Sequence, residues 1–234
     1  MYSETDSKKK IDPNLIEIIN LLDKNKIIYW VCHGTLLGIV RDKNLIPWDH
    51  DIDIAVWEEK NLKEKLKLIM FKNDYKLKEK YLIDDDLLTF IKTGGREIDI
   101  NIYHKKFTNS EEIAYVKWFI PKNLICKIID ALSMAKDYKG KLMFVINKLE
   151  FIQPIFKLLK RILIKKNFFY KTAGYTQPLK FLKEFKKIDF KNMKVSVPSS
   201  SEDYLEYVYG VNWKTPIKNY NWIKDSPSTK DINI

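Results

Sequence analysis

Cysteine is scarce in this chain, and the scarcity excludes two architectures. The 234 residues contain two cysteines, Cys32 and Cys126, and no Cys-x-x-Cys pair. A disulfide framework needs more of them, and a thiolate zinc site needs closer spacing. Cys32 ends the apolar run Tyr29-Trp30-Val31-Cys32 and reads as a buried free thiol. Long hydrophobic runs are also missing. No window of about 18 residues is apolar and free of charge, so no transmembrane helix is expected. The basic Lys8 to Lys10 are followed by Asp12, Pro13, Asn14 and Glu17, where a secretory leader would be apolar. The expectation is a protein kept in the cytoplasm. Seven glycines and eight prolines leave little room for flexible linkers. Only residues 1–10 and 226–234 are polar and aperiodic, and these ends read as loose. No internal repeat or low-complexity tract is present.

Charge is present but uneven. The formal net charge is +11. Residues 141–194 contain 14 Lys/Arg and 3 Asp/Glu, while the remainder contains 28 of each sign. The excess therefore belongs to one region and needs a local explanation. No nucleic-acid recognition motif accompanies it, and the aromatics beside it (Phe168, Phe169, Tyr170) read equally well as core. No nucleic-acid partner is expected. Within the region, Ile155 to Lys166 is an amphipathic helix. Lys157, Lys160, Arg161 and Lys165 share one face, and Leu158, Leu159, Ile162 and Leu163 lie largely on the other. Such a helix either rests at an anionic membrane surface or packs its apolar face on the core and leaves the lysines in water.

Periodicity places the other elements. Leu15, Ile18, Ile19 and Leu22 recur at helical spacing within Ile11 to Lys24. Ile27 to Cys32 is β-branched and aromatic, as suits a buried strand. His33-Gly34-Thr35 ends it, Leu36 to Arg41 forms a short helix, and Lys43-Asn44 with Pro47 marks a turn. Asp51 to Trp57 alternates with period two, hence a strand. Glu58 to Lys72 is a helix with Leu62, Leu66 and Ile69 inward. Tyr75 to Lys80 and Leu87 to Lys92 are strands, and the latter forms a hairpin with Glu97 to Tyr103 through Thr93-Gly94-Gly95-Arg96. Leu124 to Tyr138 and Lys141 to Lys166 are helical, the second interrupted at Pro154. Leu179 to Phe185 is a further short helical segment. Val195 to Pro198 is extended, and a helix over Glu202 to Tyr209 is capped by Ser200 or Ser201 and closed by Gly210.

The chemistry is concentrated in Pro47-Trp48-Asp49-His50-Asp51-Ile52-Asp53-Ile54. Like charges on one strand face repel, so alternating carboxylates in a β-branched strand need a reason. Two residues apart along a strand, they are separated by roughly 6.5–7 Å and can converge on a hard divalent cation. In Arg96 to Tyr103, the residues Glu97, Asp99 and Asn101 also share a face. Were this strand to lie beside Asp51 to Trp57, Asp99 would join Asp51 and Asp53 in a three-carboxylate site. Such a site holds Mg²⁺ or Mn²⁺ and neutralises phosphate charge. The alternatives are a solvated strand face and a polar outer hairpin face. Gly34 and Thr35 stand where a strand meets a helix, a place where backbone N–H groups attract phosphate. Arg41 either holds phosphate bidentately or pairs with Asp42.

With these residues in hand, the sequence resembles a family. His33-Gly34-Thr35-Leu36-Leu37-Gly38-Ile39-Val40-Arg41, then Ile46-Pro47-Trp48-Asp49-His50-Asp51-Ile52-Asp53-Ile54, looks like the signature of the LicD and fukutin-related transferases. Val197-Pro198, Tyr204 to Gly210 and Trp213-Lys214-Thr215-Pro216 are similar to the family's C-terminal end. The resemblance frames residues 27–216 and is weak between 105 and 190. It implies an α+β fold: a nucleotidyltransferase-type mixed β-sheet core with flanking helices and a helical C-terminal part. As one transferase domain over 1–234, it would have its nucleotidyltransferase core at about 11–105 and a helical acceptor and specificity part at 120–216. It also implies a Mg²⁺-bound CDP-activated alcohol donor. Phosphocholine, ribitol phosphate or a similar group would be moved to a glycan or lipid-linked glycan, with CMP released. Asp51 and Asp53 match the family's metal-binding acids, and Asp99 its third acid less closely. Asp49 or Asp99 would take the acceptor's proton. The family's Gly-Gly-Thr is His33-Gly34-Thr35 here. The zinc-bound insertion of the animal members is absent, so no zinc is carried over.

Two rival readings follow from the same residues. His50-Asp51 is the kind of pair that metal phosphohydrolases use, but theirs sits on helices and this one opens a period-two strand. A non-catalytic membrane- or glycan-binding protein would explain the basic region but not the acidic strands. His104 reads as a structural, hydrogen-bonded histidine.

Overall fold

Asp12 starts the first helix. Its carboxylate accepts from the Asn14 N–H at 2.9 Å, and Pro13 occupies the first turn, where its missing N–H costs nothing. Helix α1 (Pro13–Lys24) buries Leu15, Ile18, Ile19 and Leu22, the stripe that its spacing foretells. The computed structural model describes residues 11–78, 86–108, 111–166, 169–218, 220, 225–226 and 229–231. Residues 1–10, Glu79 and Lys80 of the third expected strand, and Phe168 lie outside them.

A mixed sheet forms the centre. Its strands are β1 (Tyr29–Val31), β2 (Asp51–Trp57), β3 (Lys76–Lys78), β4 (Leu87–Ile91), β5 (Glu97–Phe107), β6 (Glu112–Pro121), β7 (Tyr170–Pro178) and β10 (Thr229–Asp231). The order is β1-β2-β5-β6-β7-β10, with β4 pairing β5 and carrying β3 at its far side. The strand pair β8 (Phe185–Phe190) and β9 (Met193–Pro198) stands apart from this sheet. Strands β4 and β5 form the expected hairpin. Strands β2 and β5 run parallel, with Asp53 opposite Asp99 and Asp51 opposite Glu97.

Helix α2 (His33–Leu37) continues as a π-helical turn over Gly38–Asp42 and ends at Lys43 in the left-handed region. His33 to Thr35 therefore open this helix, which begins three residues before the expected Leu36. Helix α3 (Leu62–Lys72) turns Leu62, Leu66 and Met70 inward, and Ile69 only borders the core. The remaining helices are α4 (Leu124–Ser133), α5 (Met143–Lys148), α6 (Gln153–Lys165) and α7 (Ser201–Tyr209). Pro154 sits in the first turn of α6, so it starts this helix.

Strands interleave the helices of the C-terminal part. Residues 170–178 extend the main sheet, and only Leu179–Leu182 of the expected helix to Phe185 is helical, as a single 3-10 turn. The C-terminal end is packed where it is described. Ser226 Oγ donates to Val208 O at 2.9 Å, and Thr229–Asp231 pair with β7.

Trp30 is the centre of the core, fully buried and stacked on Phe185 at 4.8 Å, with Trp57 and Tyr103 at 4.9 and 5.4 Å. Among the described residues, a second and smaller cluster joins Cys126, Ile164 and Tyr170. Both cysteines are free and buried, as the apolar setting of Cys32 implies.

Candidate active site

Strand alternation delivers the carboxylates to one face of the sheet. Asp51 and Asp53 project from β2 while Ile52 and Ile54 enter the core. The preceding turn brings Asp49 back beside them, its N–H donating to Ile46 O at 3.2 Å. One oxygen from each of Asp49, Asp51 and Asp53 lies within 4.8 Å of the others. Asp99 is buried directly opposite Asp53 on β5, where Thr89 Oγ1 donates to its Oδ1 at 2.6 Å. It adds to their field while Asp49 completes the triplet. Asn101, two residues on, is buried and reaches Ile54 O at 3.5 Å. The Asp99–Asn101 face is thus interior, not the outer face of a hairpin.

Helix α2 packs against this cluster through Gly34. A Cβ there would collide with Asp49 Oδ2 and stand 3.6 Å from Asp53 Oδ2. Thr35 is clamped to the same strand. Its Oγ1 accepts from the Asp53 N–H at 2.8 Å, and its own N–H donates to the Asp53 carboxylate. Thr35 is buried and absent from the pocket wall, whereas Gly34 lines it.

The acids of the cluster raise one another's affinity for protons. Burial pushes the Asp53 carboxyl well above the usual carboxylate range. Asp51, Asp99 and Asp49 push it further, and the Thr35 N–H offsets only part of this. Burial and then Asp53, Asp99 and Asp51 hold the Cys32 thiol high and protonated, which removes it as a nucleophile. The donor set is oxygen only and carboxylate-rich. That chemistry fits a hard divalent cation.

The carboxylates open into a pocket of about 460 Å³. His33 lies on its wall with the ring 4.9 Å from Tyr175. Burial lowers its pKa to about 4, so it is a neutral imidazole, and its Nε2 has no hydrogen-bond partner among the described residues. Arg41 also lines the pocket, but its guanidinium is engaged. Nε and Nη2 each donate to Asp42 at 2.8 Å, and Nη1 reaches Trp213 O at 3.5 Å. The pair with Asp42 is formed while Arg41 stays on the pocket wall.

Lys117 and Trp118 from β6, Tyr175 from β7, Tyr209 at the end of α7 and Asn212 just beyond it also line the wall. The first three carry no motif, and only strand pairing at long range brings them here. His50 is exposed and immediately precedes strand β2, unlike the helical His-Asp pairs of phosphohydrolases. His104 lies outside the pocket, with Nε2 3.0 Å from Asp86 Oδ2 and its ring stacked on Tyr115.

Residues 26–126 match the family described as LicD/FKTN/FKRP, nucleotidyltransferase domain. The chain is 24% identical over 213 residues to the ribitol-5-phosphate transferase FKTN of Homo sapiens, covering 91% of this chain and 35% of that protein. It is 36% identical over 96 residues to an uncharacterized protein of Rickettsia typhi, covering 41% of this chain and 29% of that one. The chain thus spans about a third of the length of these curated relatives. Among solved structures, the lincosamide antibiotic adenylyltransferase LnuA aligns over 84% of this chain and 85% of its own, at 12% identity and a TM-score of 0.43.

Proposed function

This chain is related to the LicD and fukutin proteins through residues 26–126, and from that premise we propose that it is a metal-dependent transferase acting in the cytoplasm. It moves a phospho-alcohol group, such as phosphocholine or ribitol phosphate, from a CDP-activated donor to a glycan or lipid-linked glycan. The observation that carries this reading is the convergence of Asp49, Asp51 and Asp53 on the wall of the pocket. The domain proposed is a single one, with the nucleotidyltransferase core at about 11–105 and an acceptor and specificity part at 120–216.

Asp51 and Asp53, with Asp49 beside them and Asp99 assisting, would hold Mg²⁺ or Mn²⁺, which supplies neutralisation of donor phosphate charge. Lys117 and Lys218 bring positive charge to the same pocket. Trp118 and Tyr175, edge to face at 5.1 Å, give the donor a rigid aromatic wall. Gly34 lets the helix backbone approach the carboxylates. In the reaction, the acceptor hydroxyl oxygen bonds to the β-phosphorus of the donor. The bond from that phosphorus to the oxygen bridging to the α-phosphate breaks, and its electron pair leaves with CMP. The hydroxyl proton passes to a carboxylate. Asp99, held in place by Thr89, or Asp49 would take it.

The test uses the purified chain and a panel of CDP-alcohols. Protection by the donor, beyond that given by Mg²⁺ alone, should require Mg²⁺ and reach about 2.7 kcal/mol at a hundredfold excess over Kd. With a glycan acceptor, CMP should be released. Asp53→Asn should abolish transfer and remain folded. Release of CDP or pyrophosphate in place of CMP would overturn the route, and full activity in Asp53→Asn would end the metal reading.

A further inference from the structure

Helix α6 is amphipathic in the reverse sense. In most helices of soluble proteins the apolar stripe faces the core. Here the buried positions are Gln153, Lys160 and Ile164. Lys160 is 2% exposed, ion-paired with Asp130 of α4 and placed over the Tyr170 ring. Ile155, Leu158, Leu159 and Ile162 recur at i, i+3, i+4 and i+7, and all four are exposed, Ile155 at 66% and Leu158 at 59%. At about 100° per residue, the two sets lie on opposite sides of the helix. The sequence expectation that Lys160 joins the solvated basic face is corrected by its ion pair. The alternative that the leucines pack on the core fails for Leu158, Leu159 and Ile162. Only Leu163 borders the small cluster of Cys126, Ile164 and Tyr170.

The neighbouring elements expose apolar side chains as well. Helix α4 presents Leu124, Ile125 and Ile128. Helix α5 buries none of its residues and presents Met143, Phe144 and Val145, and Phe151 follows, with Phe144 77% exposed. An apolar display of this extent marks an interaction surface. Charge identifies what covers it. Residues 122–166 contain eleven Lys/Arg and three Asp/Glu, a net of +8. Arg161 and Lys165 are exposed along one flank of the α6 stripe, and Lys127 and Lys148 are exposed on α4 and α5. A second copy of the chain would set +8 against +8. The apolar residues are spread over separate helices, so the surface asks for a partner that is anionic, apolar beneath and tolerant of shape.

We propose that α4, α5 and α6 form an interfacial docking surface for an anionic phospholipid bilayer. The exposed leucine, isoleucine and phenylalanine side chains enter the boundary between headgroups and acyl chains, and the flanking lysines and arginine contact lipid phosphate. The protein lies on the bilayer, because among the described residues no helix is long and apolar enough to cross a membrane. This docking is independent of the transfer chemistry.

Sedimentation of the full chain with vesicles tests the proposal. The chain should pellet with phosphatidylcholine–phosphatidylglycerol vesicles at low salt, weakly with phosphatidylcholine alone, and be released by high salt. Leu158→Asp with Ile162→Asp, and separately Arg161→Glu with Lys165→Glu, should each cut the bound fraction about tenfold or more. Both variants should keep the circular dichroism and unfolding temperature of the parent, because the altered side chains are exposed. The charge-reversed pair keeps the test decisive even if the aspartates unfold the helix. No pelleting with anionic vesicles, or pelleting that ignores both variants, would overturn the proposal. A dimer in light scattering that the same substitutions dissociate would overturn it too, by assigning the face to a second copy.

Discussion

Asp53 shows what the site costs the protein when no cation is bound. Its carboxyl is held above the ordinary carboxylate value of about 3.9 by burial and by three neighbouring acids. A raised folded pKa means that the folded state binds the proton more tightly than the unfolded chain. The associated stability is complete below the unfolded pKa and is lost as pH rises through the folded one. Asp53→Asn should therefore raise the metal-free unfolding temperature at neutral pH, by something on the order of 1 kcal/mol, and bring no gain below the carboxylate range. Mg²⁺ should stabilise the parent and not this variant; scans with and without Mg²⁺ at two pH values check both signs. Gly34 gives a cleaner probe. Alanine is a better helix former than glycine by about 1 kcal/mol, but its Cβ would collide with Asp49. Gly34→Ala should fold normally and lose stabilisation by Mg²⁺, measured by the same scans; retained Mg²⁺ stabilisation would show that the close approach is dispensable. Asp51 and Asp53 are legible in the sequence because period two puts them on one face. The place of Asp49 in the triplet is not, because it depends on a turn that folds back before the strand. Lys117, Trp118 and Tyr175 have no local signature at all.

Elements with a strict period are readable from the chain alone, and those defined by their neighbours are not. Helix α1, strand β2 and the β4–β5 hairpin follow from spacing and turn residues. The parallel pairing of β2 with β5, which sets Asp53 against Asp99, is a contact between strands more than forty positions apart. Strand β6 has an irregular order of apolar and polar residues, and β7 includes Gly174 and Pro178, so neither announces itself. Amphipathic spacing in α6 is visible, but not which face turns inward, because the Lys160–Asp130 pair reverses the usual choice. Helix α1 is tied to the hairpin turn by its own cap. Arg96 N–H donates to Asp12 Oδ2 at 3.1 Å, and Asn14 Nδ2 donates to Arg96 O and Lys92 O at 2.8 and 3.1 Å. Gly95 has no room for a Cβ against Asp12 and Asn14. Asp12→Ala removes both a helix cap and a tether, so it should cost about 1–2 kcal/mol, or a fall of a few degrees in Tm for a chain of this length. A change within error would mean that water replaces the carboxylate at the turn.

On the scale of the whole molecule, stability and exposure are unevenly divided. The large core around Trp30 holds β1, β2, β4, β5, α1, α3 and α7, and the candidate site is built on its most buried strands. Among the described residues, α4 and α6 meet around a cluster of three buried apolar side chains, α4 buries Ile129 and Ala131 as well, the Lys160–Asp130 pair links the two helices, and α5 buries nothing. Buried apolar area is the main stabilising term, and a buried ion pair replaces it poorly. The helical region should therefore open locally at lower free energy than the sheet. Hydrogen exchange on the intact chain distinguishes this from a single cooperative unit. Amides of α4, α5 and α6 should exchange at least tenfold faster than those of β2 and β5, a difference of about 1.4 kcal/mol in opening free energy. The division has a geometric meaning as well. Strand β6 carries Lys117 and Trp118 in the pocket wall and reaches Pro121 three residues later, roughly 10 Å along the strand, and α4 begins just beyond. Order in the helical region can thus be transmitted along β6 to one wall of the pocket. Anionic vesicles should slow exchange in α6 strongly and in the inner half of β6 modestly, while leaving β2 and β5 unchanged. Equal protection of helices and sheet in solution would show that the small cluster is as cooperative as the large one, and would remove the basis for treating 124–165 as a separately ordered part.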